Sequence, residues 1–204
     1  MAVDQQQRER RTLFHVLLLN VGLTVTLAIG GYFADSSALV ANAVDNASDA
    51  AVYALSYIAV GRSERLRNSA ATLSGILLLL LAVGVLIEVI RRFNVGAEPI
   101  GGVMIGMAVV ASAINAWCLR LLSAVRKDNV NLRAAWTFSV NDFLSNFGII
   151  VAGVLVWWLG RTWPDLVVGA AVALMAGWGG IEILRDAKES RGESRELVND
   201  GDKR

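Results

Sequence analysis

Two carboxylates one helical turn apart occur in the apolar stretch SALVANAVDNASDAAVYALSYIAV, residues 37–60, which has the length of a membrane span. Asp45 and Asp49 lie four residues apart, a spacing that puts both on one face of a helix with Cβ atoms about 5–6 Å apart. Asn42 and Asn46 share that face through the i, i+3, i+4, i+7 pattern. The sequence therefore predicts a polar stripe, N-x-x-D-N-x-x-D, along an otherwise apolar helix.

The chemistry open to these carboxylates is the binding of a divalent cation. An ionised side chain in the middle of a membrane span costs about 2.5–3.5 kcal/mol, and Asp142 in SVNDFLSN adds a third such group. No Lys or Arg stands near the middle of an apolar stretch to pair with them. Hard and borderline cations bind carboxylate and amide oxygens, and a metal held between two helices cancels the like-charge repulsion.

The same residues predict an exchange of metal for protons. When the metal leaves, desolvation and mutual repulsion favour protonation of the carboxylates. Metal and protons then compete for one site. A midplane site that opens alternately to the two sides of a membrane performs cation–proton antiport.

The elements that must position these residues are helices of membrane-spanning length. The 204-residue chain is 55% hydrophobic and 18% charged, which is typical of an integral membrane protein. Windows of about 20 apolar residues are needed for a span. They predict an all-α bundle of six transmembrane helices, at 13–33, 37–60, 70–90, 100–122, 134–159 and 165–184. The second and fifth are the least hydrophobic, and a hydropathy criterion alone risks missing them.

The distribution of Lys and Arg predicts an N-in, C-in topology. This orientation places 16 of the 19 basic residues on the cytoplasmic side and leaves Arg91, Arg92 and Arg161 outside. Trp157, Trp158 and Trp163 then mark the outer interface.

The predicted organisation has three parts: a cytoplasmic segment over 1–12, a transporter domain over 13–184 and a solvated, polar cytoplasmic tail over 185–204 that can extend the last helix. The net charge of +1 gives no field that would favour nucleic acid. The single cysteine excludes an internal disulfide framework, and no Walker-type loop indicates nucleotide hydrolysis.

The stretch SALVANAVDNASDAAVYAL resembles the second span of the cation diffusion facilitator transporters, where L-x-A-D-A-x-[HD]-x-x-x-D supplies two metal ligands. Asp45 falls on the [HD] position and Asp49 on the Asp position. The resemblance covers about residues 10–188. It includes stretches similar to the family's third, fifth and sixth spans: GRSERLRNSAATLSGILLLLLAVGVLIEVIRRF, NLRAAWTFSVNDFLSNFGIIVAGVL and WPDLVVGAAVALMAGWGGIEIL.

Two positions depart from the family's ligand pattern. In the fifth span the family carries [HD]-x-x-x-D, and here Phe138 and Asp142 align with it, so one of four ligands is missing. Asn42 replaces an Asp that is usual in the second span. An alternative phasing pairs Asp142 with Asn146, and Asn146 or a water would then complete the shell. The expected metal ligands are Asp45, Asp49, Asp142, Asn146 and Asn42.

The resemblance implies a homodimer of six-helix protomers in a bacterial inner (cytoplasmic) membrane, each protomer exporting a divalent metal in exchange for protons. The chain resembles the minimal members of the family, which lack a C-terminal cytoplasmic domain. Zinc is the family's commonest cargo, although an all-oxygen site discriminates less against Mn²⁺, Fe²⁺, Co²⁺ or Cd²⁺. The metal is the substrate, and no cofactor is expected. The sole histidine, His15, is expected at the cytoplasmic interface rather than at the metal.

Two other functions stay open. Phe138, in place of a ligand, fits a non-transporting membrane subunit or a metal-responsive regulator with the same fold. Paired aspartates also occur in intramembrane enzymes, but the chain shows no Gly-x-Gly-Asp signature and no head-group transferase motif. The chain is therefore predicted not to be an enzyme.

Several polar residues outside the stripe have structural interpretations. Asp35 and Asp165 flank external turns and are expected to cap helices. Glu88 is expected to pair with Arg91 or Arg92, one turn away. Asn20 and Asn115 are expected to form hydrogen bonds between helices.

Overall fold

A computed structural model gives the fold. It describes the backbone of residues 2–59, 64–125 and 129–201, and the side chains of 7, 11–55, 57, 68–123 and 142–189. The described part contains six helices: α1 (Ala2–Phe33), α2 (Ser37–Ala59), α3 (Glu64–Val95), α4 (Gly101–Val125), α5 (Asn129–Leu159) and α6 (Trp163–Gly201). The prediction of an all-α bundle of six helices is confirmed.

Five of the six described helices are long and apolar enough to cross a membrane by length and composition. The exception is α2, whose hydropathy is lowered by the polar stripe that the sequence predicts. The bundle nevertheless packs α2 in its middle, between α1 on one side and α3 and α6 on the other. The chain is a multi-pass membrane protein in which the one described helix that falls short of the hydropathy of a span is also the most buried.

The terminal helices extend beyond the predicted spans. α1 begins at Ala2 instead of residue 13, and α6 continues to Gly201 instead of ending near residue 184. The first extension is rich in Gln and Arg and the second in Glu and Arg, residues with high helix propensity. The polar tail therefore continues the last helix as far as Gly201. The predicted domain limits stay predictions.

Small side chains on two faces of α2 belong to two different hydrophobic clusters. Leu39 and Ala43 pack with residues of α1, α4 and α5, among them Leu27, Met104 and Ile149. Ala41 and Val44 pack with residues of α3 and α6: Ala82, Val85, Val172, Ala173 and Ala176. Because these faces hold α2 from both sides, the polar stripe is left to face α5.

The N-terminus of α2 is capped by a carboxylate from another helix. Asp165, in the first turn of α6, accepts hydrogen bonds from Ser36 Oγ at 2.5 Å, from Ser37 N at 2.7 Å and from Ala38 N at 3.1 Å. Gly169, one turn further along α6, lets the backbones approach: a Cβ there would lie 2.9 Å from Ala38 N. Asp165 therefore caps a helix as expected, but the helix is α2 rather than its own.

The second expected cap, Asp35, was wrongly assigned. Ser36 has the N-cap role for α2, because its Oγ accepts a 3.2 Å hydrogen bond from Leu39 N. Asp35 adopts a positive φ of 49° in the turn, and its carboxylate accepts a 2.7 Å hydrogen bond from Glu98 N. Asp35 thus links the α1–α2 turn to the α3–α4 loop by a hydrogen bond.

Arg92 connects this turn to α3. Its guanidinium lies 2.9 Å from Asp35 Oδ1 and 2.8 Å from Glu88 Oε1, and it also donates to the Asp35 carbonyl oxygen. Arg91 makes a second ion pair with Glu88, at 2.6 Å. The predicted pairing of Glu88 with the two arginines is confirmed. The C-terminal ends of α1 and α3 and the N-terminal ends of α2 and α6 are thereby joined by charged and capping contacts.

Candidate metal centre

The polar stripe of α2 is buried against α5. The side chains of Asn42, Asn46 and Asp49 are only 1%, 0% and 9% exposed. On α5, Ser145 and Asn146 are 2% and 0% exposed. Asp142, Ser145 and Asn146 also share one face of α5, because Ser145 and Asn146 follow Asp142 by three and four residues. Two polar faces therefore meet inside an apolar bundle.

Three asparagines form a continuous chain of hydrogen bonds between α2 and α5, which we call the amide chain. Asn146 Nδ2 donates to the Asp142 carbonyl oxygen at 2.9 Å. Asn42 Nδ2 donates to Asn146 Oδ1 at 2.9 Å and so bridges the two helices. Asn46 Nδ2 donates to Asn42 O at 2.9 Å and to Asn42 Oδ1 at 3.3 Å. The amide chain fixes how α2 and α5 lie against each other.

The three carboxylates lie next to the amide chain. Asp49 of α2 and Asp142 of α5 are within hydrogen-bonding distance of each other, and we call them the carboxyl pair. Asp45 is close enough to repel both of them electrostatically and accepts a long hydrogen bond, 3.4 Å, from Ser145 Oγ. Two ionised carboxylates cannot share such a contact without repulsion. The pair therefore requires a shared proton or a cation between its oxygens.

All five residues expected at the metal lie on the contact between α2 and α5: Asp45, Asp49, Asp142, Asn42 and Asn146. They do not form a complete coordination shell. The described residues contain no group of three or more His, Cys, Asp or Glu side chains arranged to hold a metal ion. The structure instead joins them in pairs, with Asn42 on Asn146 and Asp49 on Asp142. Phe138, the position of the missing ligand, lies outside the described side chains.

Sequence reasoning did not assign two of the residues in this contact. Ser145, which contacts Asp45, lies three residues after Asp142, so the helical period used for α2 would have found it if applied to α5. Asn46 was placed on the polar stripe but not among the ligands, although its side chain is completely buried. Its amide lies at one end of the amide chain.

The sole histidine lies apart from these groups. His15 is exposed on α1, and its Nδ1 lies 2.6 Å from the Arg11 carbonyl oxygen, one turn earlier in the same helix. Its expected position at the cytoplasmic interface stays a prediction. Within the described side chains, the contact between α2 and α5 presents oxygen donors to a cation, from carboxylates, amides and a hydroxyl.

A smaller polar group joins α1 to α4. Asn20 Nδ2 donates to Cys118 Sγ at 3.8 Å, which confirms the expected interhelical role of Asn20. The Nδ2 of Asn115 is buried without a hydrogen-bond partner among the described residues, so the same prediction fails for that nitrogen. Cys118 is buried beside Leu13, Val16 and Leu122.

The sequence matches one known family over most of its length. Residues 13–190 match the family described as "Cation efflux transmembrane domain". This range includes both polar faces and extends from α1 into α6. The match agrees with the resemblance carried by the second and fifth spans.

Curated relatives agree with this match. A "Cadmium, cobalt and zinc/H(+)-K(+) antiporter" of Bacillus velezensis is 26% identical over 193 residues, which cover 87% of this chain and 61% of that protein. The "Zinc transporter ZitB" of Escherichia coli is 26% identical over 197 residues, 89% of this chain and 62% of that protein. The "Metal cation efflux system protein CzcD" of Cupriavidus metallidurans is 22% identical over 183 residues, which cover 84% of this chain and 58% of that protein. The chain thus spans about three fifths of the length of these relatives.

Proposed function

The chain belongs to the cation efflux transmembrane domain family, whose named members are transporters rather than enzymes, and on that premise we propose that it exports divalent metal cations in exchange for protons. The site of exchange is the contact between α2 and α5. The observation that carries this proposal is the carboxyl pair, Asp49 and Asp142, held by two different helices within hydrogen-bonding distance.

The carboxyl pair provides a place where a metal and protons exclude each other. A proton between the two carboxyl groups relieves their repulsion when no metal is bound. A divalent cation at the same oxygens relieves it more completely, because it brings two positive charges. Binding of the metal therefore expels protons from the pair, and release of the metal takes protons up again.

Asp45 and the amide chain complete the immediate surroundings of the pair. Asp45 adds a third carboxylate, near enough to Asp49 and Asp142 to act on both electrostatically. The hydrogen bond between Asn42 and Asn146 holds α2 against α5. A cation bound at this contact would pull the two helices together, and the opening of the contact to either side would release it.

The donor atoms favour a broad range of divalent cargo. Zn²⁺ accepts carboxylate oxygens, but an imidazole or thiolate is what usually selects it over other transition metals. The relatives are named for zinc, cadmium and cobalt. We propose zinc as the first cargo to test, with Mn²⁺, Fe²⁺, Co²⁺ and Cd²⁺ as competitors.

The assembly and location proposed are a homodimer in a bacterial cytoplasmic membrane. Each protomer has its own contact between α2 and α5, so each would carry out transport separately. The excess of basic residues on one side of the predicted topology assigns that side to the cytoplasm.

A second candidate is a membrane subunit that binds metal without transporting it. It is favoured by the fact that no three carboxylate, thiol or imidazole ligands form a shell among the described residues. The two functions differ in flux, because a subunit or regulator binds metal but moves none.

Flux in proteoliposomes distinguishes the two. The full chain is reconstituted into liposomes that contain a pH-sensitive dye, and Zn²⁺ is added outside. Antiport predicts that the lumen becomes alkaline as Zn²⁺ enters and protons leave. Asp49→Asn, which keeps the size of the side chain and removes its charge, is expected to abolish this signal.

The matched control is Asp186→Asn, an exposed aspartate on α6, which is expected to leave the flux unchanged. The same series with Mn²⁺, Fe²⁺, Co²⁺ and Cd²⁺ ranks the cargo. Zinc binding by the reconstituted wild-type protein without flux of any of the five ions would reject the antiporter in favour of the subunit.

A further inference from the structure

The orientation of every amide in the amide chain follows from its neighbours. The Asp142 carbonyl oxygen can only accept, so the Asn146 group facing it must be the NH₂ group. Asn146 Oδ1 then faces Asn42, and the Asn42 group facing it is again the donor. The Asn42 backbone carbonyl fixes Asn46 in the same way, because only Nδ2 can donate to it.

This orientation leaves one oxygen at the end of the amide chain. Oδ1 of Asn146 accepts from Asn42, and Oδ1 of Asn42 accepts from Asn46. Oδ1 of Asn46 is buried and has no hydrogen-bond donor among the described residues. Exchanging Oδ1 and Nδ2 of Asn46 would not remove the problem, because Oδ1 would then face the Asn42 carbonyl oxygen, which cannot donate a hydrogen bond.

A buried acceptor without a donor is unfavourable, and native proteins keep few of them. Here it lies on the polar stripe, between Asp45, its neighbour in sequence, and Asp49, three residues later on the same face. Because Nδ2 makes both contacts with Asn42, Oδ1 is the amide atom of Asn46 that is left for another partner. A free amide oxygen beside carboxylates is a hard ligand for a divalent cation.

We propose that Asn46 Oδ1 is a metal ligand that completes the shell formed by the aspartates, while Asn42 and Asn146 act as the brace that positions it. This inference rests on the proposed function and adds to it the source of the missing ligand. Asn42 and Asn146 each already use an oxygen lone pair within the amide chain. Asn46 is the member whose oxygen is wholly available.

The test is Zn²⁺ binding by the purified full-length protein in detergent, measured by equilibrium dialysis. Asn46→Ala removes the oxygen and is expected to weaken Zn²⁺ binding by about 10- to 100-fold. Asn46→Asp keeps an oxygen at the same place and is expected to bind Zn²⁺ at least as tightly as the wild type. The matched control is Asn115→Ala: Asn115 is also a buried asparagine with an unpartnered amide atom, but that atom is a nitrogen, which cannot bind a cation.

The melting temperature of each variant without metal separates ligation from packing. A structural role alone would lower the metal-free melting temperature of Asn46→Ala and leave its Zn²⁺ affinity equal to that of the wild type, which would overturn the inference. Loss of binding in Asn46→Asp equal to that in Asn46→Ala would also overturn it, because it would assign the effect to the Nδ2 hydrogen bonds.

The same measurement separates this inference from the proposed function. A wild-type protein that binds Zn²⁺ and an Asn46→Ala variant that binds it equally well leave the transporter intact and remove Asn46 from the shell. A folded wild-type protein that binds none of Zn²⁺, Mn²⁺, Fe²⁺, Co²⁺ and Cd²⁺ overturns both.

Discussion

The carboxylate of Asp165, in the first turn of α6, accepts a 2.7 Å hydrogen bond from the backbone N–H of Ser37, the first residue of α2. The pair is 128 residues apart in sequence and completely buried. The first N–H groups of a helix have no partner within the helix, and an anion at that end also complements the helix dipole. One side chain of α6 therefore fixes where the helix with the polar stripe begins.

We expect Asp165→Ala to destabilise the protein by about 3 kcal/mol, because it leaves several donors at the start of α2 buried without an acceptor. Asp165→Asn keeps one oxygen acceptor and should lose less. Thermal unfolding in detergent measures both. Asp186→Ala, at an exposed position of the same helix, is the control and should unfold like the wild type. Equal melting temperatures for Asp165→Ala and Asp186→Ala would contradict the role of the cap.

Arg91 and Arg92 form a matched pair for testing the contact at the C-terminal end of α3. Both bind Glu88, but only Arg92 is buried and reaches Asp35. We expect Arg92→Ala to cost about 1–3 kcal/mol, less than a fully buried pair, because Asp35 is 44% and Glu88 33% exposed. Arg91→Ala should have little effect. Chemical or thermal unfolding of the two variants checks this, and an equal loss in both would disprove the special role of Arg92.

A side chain at position 169 is expected to lower the stability of the protein. A Cβ at Gly169 would lie 2.9 Å from Ala38 N and 3.0 Å from Ser37 Cβ, so Gly169→Ala must push α6 away from the N-terminus of α2. Overpacking of this kind costs about 1–3 kcal/mol. At Gly84, on α3, a Cβ meets nothing within 4 Å, and Gly84→Ala should be neutral or slightly stabilising. Melting temperatures of the two variants that shift alike would reject the close approach.

The hydrogen bond between Asn42 and Asn146 predicts energetic coupling between α2 and α5. In a double-mutant cycle of Asn42→Ala, Asn146→Ala and the double variant, we expect a coupling free energy of about 0.6 kcal/mol and at most about 1.7 kcal/mol, the range measured for interhelical hydrogen bonds in membranes. Stability in detergent supplies the four values. Additive effects of the two substitutions would show that the bridge does not hold the helices together.

The faces of the helices were predictable from the sequence, and the family resemblance predicted that the second and fifth spans meet, whereas the contacts at the helix ends were not predictable. A period of 3.6 residues is enough to place Asn42, Asp45, Asn46 and Asp49 on one side of α2, and the apolar runs predict six helices. The cap of α2 was misassigned because Asp165 lies in another helix. Local spacing makes Asp35, next to the start of α2, look like the natural cap.

The amide chain shows the same limit on a finer scale. Sequence indicates that three asparagines are near the carboxylates, but the direction of each amide depends on a carbonyl oxygen across the contact between α2 and α5. Only the assembled contact distinguishes the oxygen of Asn46, which has no donor among the described residues, from the oxygens of Asn42 and Asn146.

The ends of α1 and α6 differ from the predicted ends because favourable helix propensity lets both helices continue beyond the apolar windows.

The competition of metal with protons at the carboxyl pair is tested most directly by counting the protons released when Zn²⁺ binds. Since bound protons must leave for the metal to bind, Zn²⁺ affinity should rise with pH, with one power of ten per pH unit for each proton displaced. Titration of the purified protein in weak buffer should show proton release by the wild type and about one proton fewer in Asp142→Asn. Zinc binding by the wild type with an affinity independent of pH and no released proton would contradict the exchange site.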